Sequence, residues 1–276
     1  MRIVVTGAGG GLGRAFLDVV PEHHDVVTLT HGDLDIGDHG AVMQTVPTLA
    51  PDLVVNLAAF TKVDANETDP ARAFRDNAQG PHSLALAARA SDAILLHVST
   101  DYVFDGEKGA PYDETDRPNP LSVYGRSKLA AERFARDALP EHFIVRTGFV
   151  YGGGDDHVTS QIAKLRAGQE AFGIADRTGT LTYVRDLAAQ LVPLVLTHRF
   201  GTYHLAGPTP TSWFEALNRC KELGELPGAV TPQRAADLAL PAPRPRDSSL
   251  VSVFVENLSL PPFPNLDESL LDLLGR

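Results

Sequence analysis

The residues Gly7-Ala8-Gly9-Gly10-Gly11-Leu12-Gly13 stand directly behind an apolar run, Arg2–Thr6, and directly before a helical pattern that opens at Gly11. A strand that passes into a helix through so much glycine needs backbone conformations and close approaches that side chains forbid. The helix that starts there presents unpaired N–H groups and the positive end of its dipole. Such a turn cradles a pyrophosphate, and it points to a parallel sheet whose first strand ends at a bound dinucleotide.

The rest of the chain agrees with that constraint. Apolar runs at Asp25–Leu29, Leu53–Leu57, Ile94–Ser99 and Phe143–Thr147 alternate with helical patterns at Gly11–Val20, Ala41–Leu49, Pro70–Ala90 and Ser122–Ala138. Strand, crossover and strand repeated in this way predict a doubly wound α/β fold, a Rossmann sheet of parallel strands. After about residue 150 the pattern loosens. Extended chain is expected over Ile174–Tyr183, helices over Val184–Leu196, Ser212–Leu223 and Leu266–Leu274, and a strand over Gly201–Leu205. The Pro-rich stretch Leu226–Pro264 reads as irregular. We expect a dinucleotide-binding domain over 1–150 and a smaller substrate lobe over 151–276, with a segment near 184–206 returning to the main sheet.

Thirty-five acidic against 24 basic residues give a net charge of −11. That field disfavours nucleic acid and anionic membrane surfaces as partners. The single cysteine, Cys220, rules out an intrachain disulfide, and no stretch is long and apolar enough for a membrane span, so a cytoplasmic location is expected. The ten histidines show no metal-ligand spacing, and no metal site is expected.

Read as Gly7-x-x-Gly10-x-x-Gly13, the turn has the spacing of the short-chain dehydrogenase form of the dinucleotide fingerprint. A ribose-binding carboxylate usually follows about twenty residues on. Here the second strand ends in Thr30-His31-Gly32 instead, with Asp33 and Asp35 slightly later. Without a carboxylate to repel a 2′-phosphate, NADPH is the expected cofactor and NADH the alternative.

Tyr124 and Lys128 lie four apart, hence on one helix face. A phenol near pKa 10 exchanges protons slowly at neutral pH, whereas a neighbouring ammonium favours its phenolate. Tyr124 can thus serve as general acid in ketone reduction or as base in the reverse direction. Ser99-Thr100-Asp101-Tyr102 stands at the end of a predicted strand, and a hydroxyl there can hydrogen-bond the reacting carbonyl.

The wording around these residues resembles the dTDP-4-dehydrorhamnose reductase family. Asn56–Asp64, Ser99–Gly106, Pro111–Glu114, Pro120–Lys128, Arg146–Gly152, Gly179–Tyr183, Gly201–Gly207 and Arg244–Ser248 carry the likeness, with Ser99–Gly106 its most specific part. Members are extended short-chain dehydrogenases that reduce the 4-keto group of a nucleotide-linked 6-deoxyhexose. The resemblance implies a catalytic trio of Thr100, Tyr124 and Lys128. It implies cofactor contacts from Gly7, Gly10, Gly11 and Leu12, from Thr30 and His31, from Asp35 and Ile36, and from Leu57, Ala58, Ala59 and Lys128. It implies sugar contacts from Val63, Asp101 and Tyr102, with Phe149 lining the nucleobase pocket in place of the family's usual Trp.

A nucleotide sugar brings a diphosphate, so an acidic protein needs local cations; Arg244 is the candidate, with Arg246 beside it and Arg177 as a weaker one. Trp213 reads as core. A homodimer is compatible with the family. Two other readings stay open: an epimerase on the same fold, and a regulatory subunit that binds NADP without turnover. Dehydration is disfavoured, because Asp101 is followed by Tyr102 and the second carboxylate such enzymes use is missing.

Overall fold

The computed structural model describes residues 1–275. Along the chain run β1 (Arg2–Thr6), α1 (Gly11–Val19), β2 (Asp25–Leu29), α2 (His39–Thr48), β3 (Leu53–Asn56), α3 (Val63–Thr68), α4 (Pro70–Phe74), α5 (Gly80–Ala90), β4 (Ile94–Val98), α6 (Val123–Ala138) and β5 (His142–Arg146). Then follow β6 (Val150–Tyr151), α7 (His157–Arg166), β7 (Ala171–Ile174), β8 (Gly179–Thr180), β9 (Thr182–Tyr183), α8 (Val184–Leu196), β10 (Gly201–His204), β11 (Pro210–Thr211), α9 (Trp213–Gly224), β12 (Val230–Gln233) and α10 (Leu266–Leu274).

Six strands form one sheet in the order β10-β5-β4-β3-β1-β2, and every neighbouring pair is parallel. Alternate residues of each strand face opposite sides, which explains the near-continuous apolar runs. Ile3 and Val5 of β1 join one apolar cluster with α1 and α8, whereas Val4 joins another with α2, α5 and α6. The first of these clusters runs on without a break into Ala171, Ala216, Cys220, Leu226 and Leu270, so the C-terminal elements share a core with the sheet. The strand order reverses between β1 and β3, and ligands of such sheets bind in the crevice at that switch point.

The segment expected as one helix over Pro70–Ala90 is broken. A π-helical turn, Arg75–Gln79, separates α4 from α5, with Gly80 N–H bonded to Arg75 O. Pro81 has no N–H to return to the carbonyl four residues earlier, and a wider turn absorbs the mismatch. The turn also directs buried Asn77 inward, where its amide reaches Phe60 O, Asn66 Oδ1 and Ser127 Oγ. Helices α3 and α7 and strand β12, which pairs parallel with β7, fall where no element was expected. Each is short, and their sequence periodicity is correspondingly weak.

Candidate active site

The turn after β1 is built on Gly7, at φ +74°; a Cβ there would lie 2.5 Å from Ala58 N and 2.6 Å from Leu57 C. The chain leaving β3 therefore rests directly on the glycine turn, and no side chain fits between them. Gly10 caps α1 without any side-chain bond, which leaves the first amides of that helix open to a ligand. A cavity of about 380 Å³ lies here. Among its walls are Gly7 and Gly10, Thr30 and His31 beyond β2, Asp35 and Ile36, and Leu57, Ala58 and Ala59 beyond β3. Gly11 and Leu12 do not line it: Gly11 packs on Gly153, and Leu12 turns towards the core.

The far end of this cavity differs from the sequence expectation. A carboxylate does return to the end of β2, because Asp33 accepts from Thr30 N (2.8 Å) and Thr30 Oγ1 (2.6 Å). Two arginines stand here as well. Arg72 lines the same cavity and lies 4.2 Å over the Phe60 ring, while Arg75 pairs with Asp35 at 2.6 Å. These arginines come from α4 and the π turn, forty residues away in sequence, where no spacing rule would look.

At the ends of β4 and β5 a second group of side chains converges. Gly125, in the first turn of α6, allows the helix to press on the 3₁₀ turn Asp101–Val103: a Cβ there would come 2.2 Å from Tyr102 O. That approach brings Tyr124 to Thr100, whose hydroxyl favours the phenolate, and edge-on to Tyr102, with ring centroids 5.9 Å apart. Burial outweighs the hydroxyl and pushes the Tyr124 phenol up to about 12. Asp101 is buried, bonded to Thr100 Oγ1 at 3.0 Å and to Ser248 Oγ, and burial raises its carboxyl to about 6. Ser248 reaches Asp101 only because the chain folds back across 147 positions of sequence.

Lys128 is 2% exposed, and burial lowers its amine to about 7 despite the opposing pull of Glu132. Its Nζ donates to Val98 O at 2.6 Å and meets His97 Nε2 at 3.2 Å. Below it, buried Glu132 accepts from Ser99 Oγ (2.6 Å), Arg146 Nε (2.9 Å) and Arg146 Nη2 (2.7 Å), which braces the strand ends that carry Thr100.

Asp101 and Tyr102 therefore stand beside Tyr124. Val63 opens α3, and the next residue, Asp64, holds Arg244 through two bonds of 3.0 and 2.8 Å. The charge of Arg244 is thus partly answered before any diphosphate arrives. Arg246 is exposed, and Arg177 donates to Asp176 O. Gly148 abuts Asp101, and Phe149 follows at φ +42°, stacked on half-buried Trp213 with centroids 4.6 Å apart. Trp213, read from sequence as core, packs against the main apolar cluster as well as on Phe149. No group of His, Cys, Asp and Glu suited to a metal occurs among the described residues. A separate depression of about 900 Å³, bordered by Phe74, Arg117, Arg133 and Phe134, contains none of these site residues.

The family model described as the RmlD substrate binding domain matches residues 1–275. The chain is 39% identical, over 99% of its length and 85% of the relative's, to a dTDP-4-dehydrorhamnose reductase of Mycolicibacterium smegmatis. The crystal structure of a dTDP-4-dehydrorhamnose reductase from Clostridium acetobutylicum superposes with a TM-score of 0.95 at 34% identity, covering 100% of both chains. That of the Bacillus anthracis reductase, in complex with NADP, gives 0.95 at 32% identity over 99% of this chain and 98% of that one. With a family model matched over residues 1–275, 39% identity to a reductase across 99% of its length and a fold that superposes at a TM-score of 0.95, the chain belongs to the dTDP-4-dehydrorhamnose reductase family.

Proposed function

We infer that this chain is an NADPH-dependent reductase of the 4-keto group of a nucleotide-linked 6-deoxyhexose, with dTDP-4-dehydrorhamnose as the reference substrate. The observation that carries this reading is a glycine turn at the sheet's switch point together with a Thr–Tyr–Lys group at the neighbouring strand ends. The open α1 N-terminus and the Gly7 cradle suit a pyrophosphate, and Thr100, Tyr124 and Lys128 gather at the neighbouring strand ends. A bound nicotinamide supplies hydride to the carbonyl carbon. Thr100 orients the carbonyl oxygen, and Tyr124, a neutral phenol at physiological pH, donates its proton to that oxygen. Lys128, charged when the site is filled, favours the phenolate left on Tyr124.

On the substrate side, Asp101, Tyr102 and Val63 serve as sugar contacts, Phe149 as the nucleobase platform, and Arg244 as the diphosphate cation. For the cofactor, Gly11 and Leu12 offer helix N-terminal amides, and Arg72 joins His31 in facing a 2′-phosphate. The reading carries with it a cytoplasmic location, where nucleotide sugars and NADPH occur together, and a homodimer, which sedimentation tests directly.

The deciding experiment is an assay of NADPH and NADH oxidation with dTDP-4-keto sugars of differing stereochemistry. Turnover with NADPH supports the reading. Cofactor binding without turnover of any 4-keto sugar replaces it with the regulatory subunit, and an interconverted sugar with no net cofactor oxidation replaces it with the epimerase.

A further inference from the structure

Under the glycine turn a chain of buried polar side chains runs from β1 to Lys128 and takes no part in the reading above. Thr6 Oγ1 donates to Asn56 Oδ1 at 2.8 Å, and Asn56 Nδ2 stands 2.9 Å from His97 Nδ1. His97 Nε2 stands 3.2 Å from Lys128 Nζ. Thr6, Asn56 and His97 are all at most 1% exposed, so no water substitutes for a missing partner.

The direction of every bond in this chain follows from one backbone group. Ala58 N–H donates to the Asn56 side chain at 3.1 Å, and a backbone N–H can only donate, so the atom it meets is the amide oxygen. The other terminal atom of Asn56 is then the NH₂, which donates to His97 Nδ1. Burial holds His97 well below its ordinary value, so the ring is neutral and carries one proton. With Nδ1 accepting, that proton sits on Nε2 and points at Lys128. An ammonium offers three donors and no lone pair; only the neutral amine can accept.

The geometry points to Asn56 as a positioning residue that locks His97 in its Nε2–H tautomer, so that His97 donates to the neutral amine of Lys128 and ties that lysine's charge to the histidine's tautomer. Protonating Lys128 turns two donors towards one another at Nζ and Nε2. Relief by moving the His97 proton to Nδ1 sets it against the Asn56 NH₂, and turning that amide over sets its NH₂ against Ala58 N–H. The resting site therefore favours an uncharged lysine, and the charge that assists Tyr124 is held loosely. The other charged groups around Lys128 are Glu132 on its own helix, neutralised by Arg146 of β5 and Arg136, and Asp101 beyond Thr100 and Tyr124. None of them presents a hydrogen-bonding atom to His97 Nε2.

Nitrogen-15 spectra of histidine side chains in the cofactor-free protein at pH 7.5 test the tautomer, with the His97 signal assigned by its loss in His97→Gln. The expected result is the Nε2–H form; an Nδ1–H form or an imidazolium overturns the proposal. This measurement needs no substrate and no turnover, so it stands apart from the functional reading. The second test rests on that reading. In Asn56→Asp, one oxygen still accepts from Ala58 and the other accepts from His97, which drives the proton to Nδ1 and frees Nε2 for the ammonium. The basic limb of kcat/KM for NADPH-dependent reduction should then move up by about one pH unit or more. A folded Asn56→Asp protein, judged by circular dichroism, whose limb and tautomer both match wild type overturns the proposal.

Discussion

The hydroxyl of Ser248 donates to the carboxylate of Asp101 across 147 positions of sequence. It ties the irregular C-terminal stretch to the strand end that carries Thr100, and it stabilises the ionised form of a carboxyl that burial has raised from 3.8 to about 6. A carboxyl whose folded value lies above its unfolded value favours the protonated fold. Its contribution is complete below about pH 4 and is lost as pH rises through 6, a swing of roughly 3 kcal/mol. Asp101→Asn should therefore melt several degrees above wild type at pH 7.5 and within about a degree of it at pH 4. Equal differences at the two pH values would show that Asp101 is not a raised, buried acid.

Tyr124→Phe removes the proton donor and little else, since the ring remains edge-on to Tyr102. We expect kcat to fall by about 10² to 10⁴ while the dissociation constant for NADPH changes less than about threefold. Stopped-flow turnover beside fluorescence titration of the cofactor separates the two quantities. Near wild-type kcat would remove Tyr124 from proton transfer.

Gly7→Ala places a methyl group 2.5 Å from Ala58 N at a left-handed φ of +74°. The left-handed conformation alone costs about 1–2 kcal/mol, and the contact forces the two turns apart. Urea unfolding should show at least that loss, and calorimetry should show NADPH affinity reduced by about tenfold or more. Retained cofactor affinity would mean that the pyrophosphate is not held at this turn.

Glu132 and Arg146 form a buried ion pair at 2.7 Å, with side-chain exposures of 0% and 3%. Glu132→Ala leaves a buried guanidinium unanswered, a change that costs about 3–5 kcal/mol in comparable settings. Chemical denaturation measures the loss. The carboxyl of Glu132 is held below its ordinary value by Arg146 and Ser99 against the effect of burial, so this stabilisation is present above the unfolded value and fades as pH falls.

Arg244→Ala should raise KM for the nucleotide sugar about tenfold with kcat within about twofold, the signature of binding energy shared by ground and transition states. Because Asp64 already holds this guanidinium at 2.8 Å, Asp64→Asn should lower KM instead. Steady-state kinetics on both variants checks the pair, and a rise in KM for each would point to a structural role.

The sequence by itself determined the fold class and most of the chemistry. Apolar runs buried on both faces, a glycine turn and a helical Tyr-x-x-x-Lys are local patterns, and β1, β2, α8 and α10 fall on the residues that periodicity marks. The family wording added Thr100 and the cofactor contacts. Tertiary structure alone decided what depends on distant partners. Asn77 reaches inward to Phe60 and Ser127, Arg75 pairs with Asp35, Arg72 arrives from α4, and Trp213 stacks on Phe149. The Asn56–His97–Lys128 chain belongs with these, because it joins β3, β4 and α6. No local period encodes a hydrogen bond between residues 31 or 147 positions apart, and such bonds form only where folding has removed the water that would compete for them.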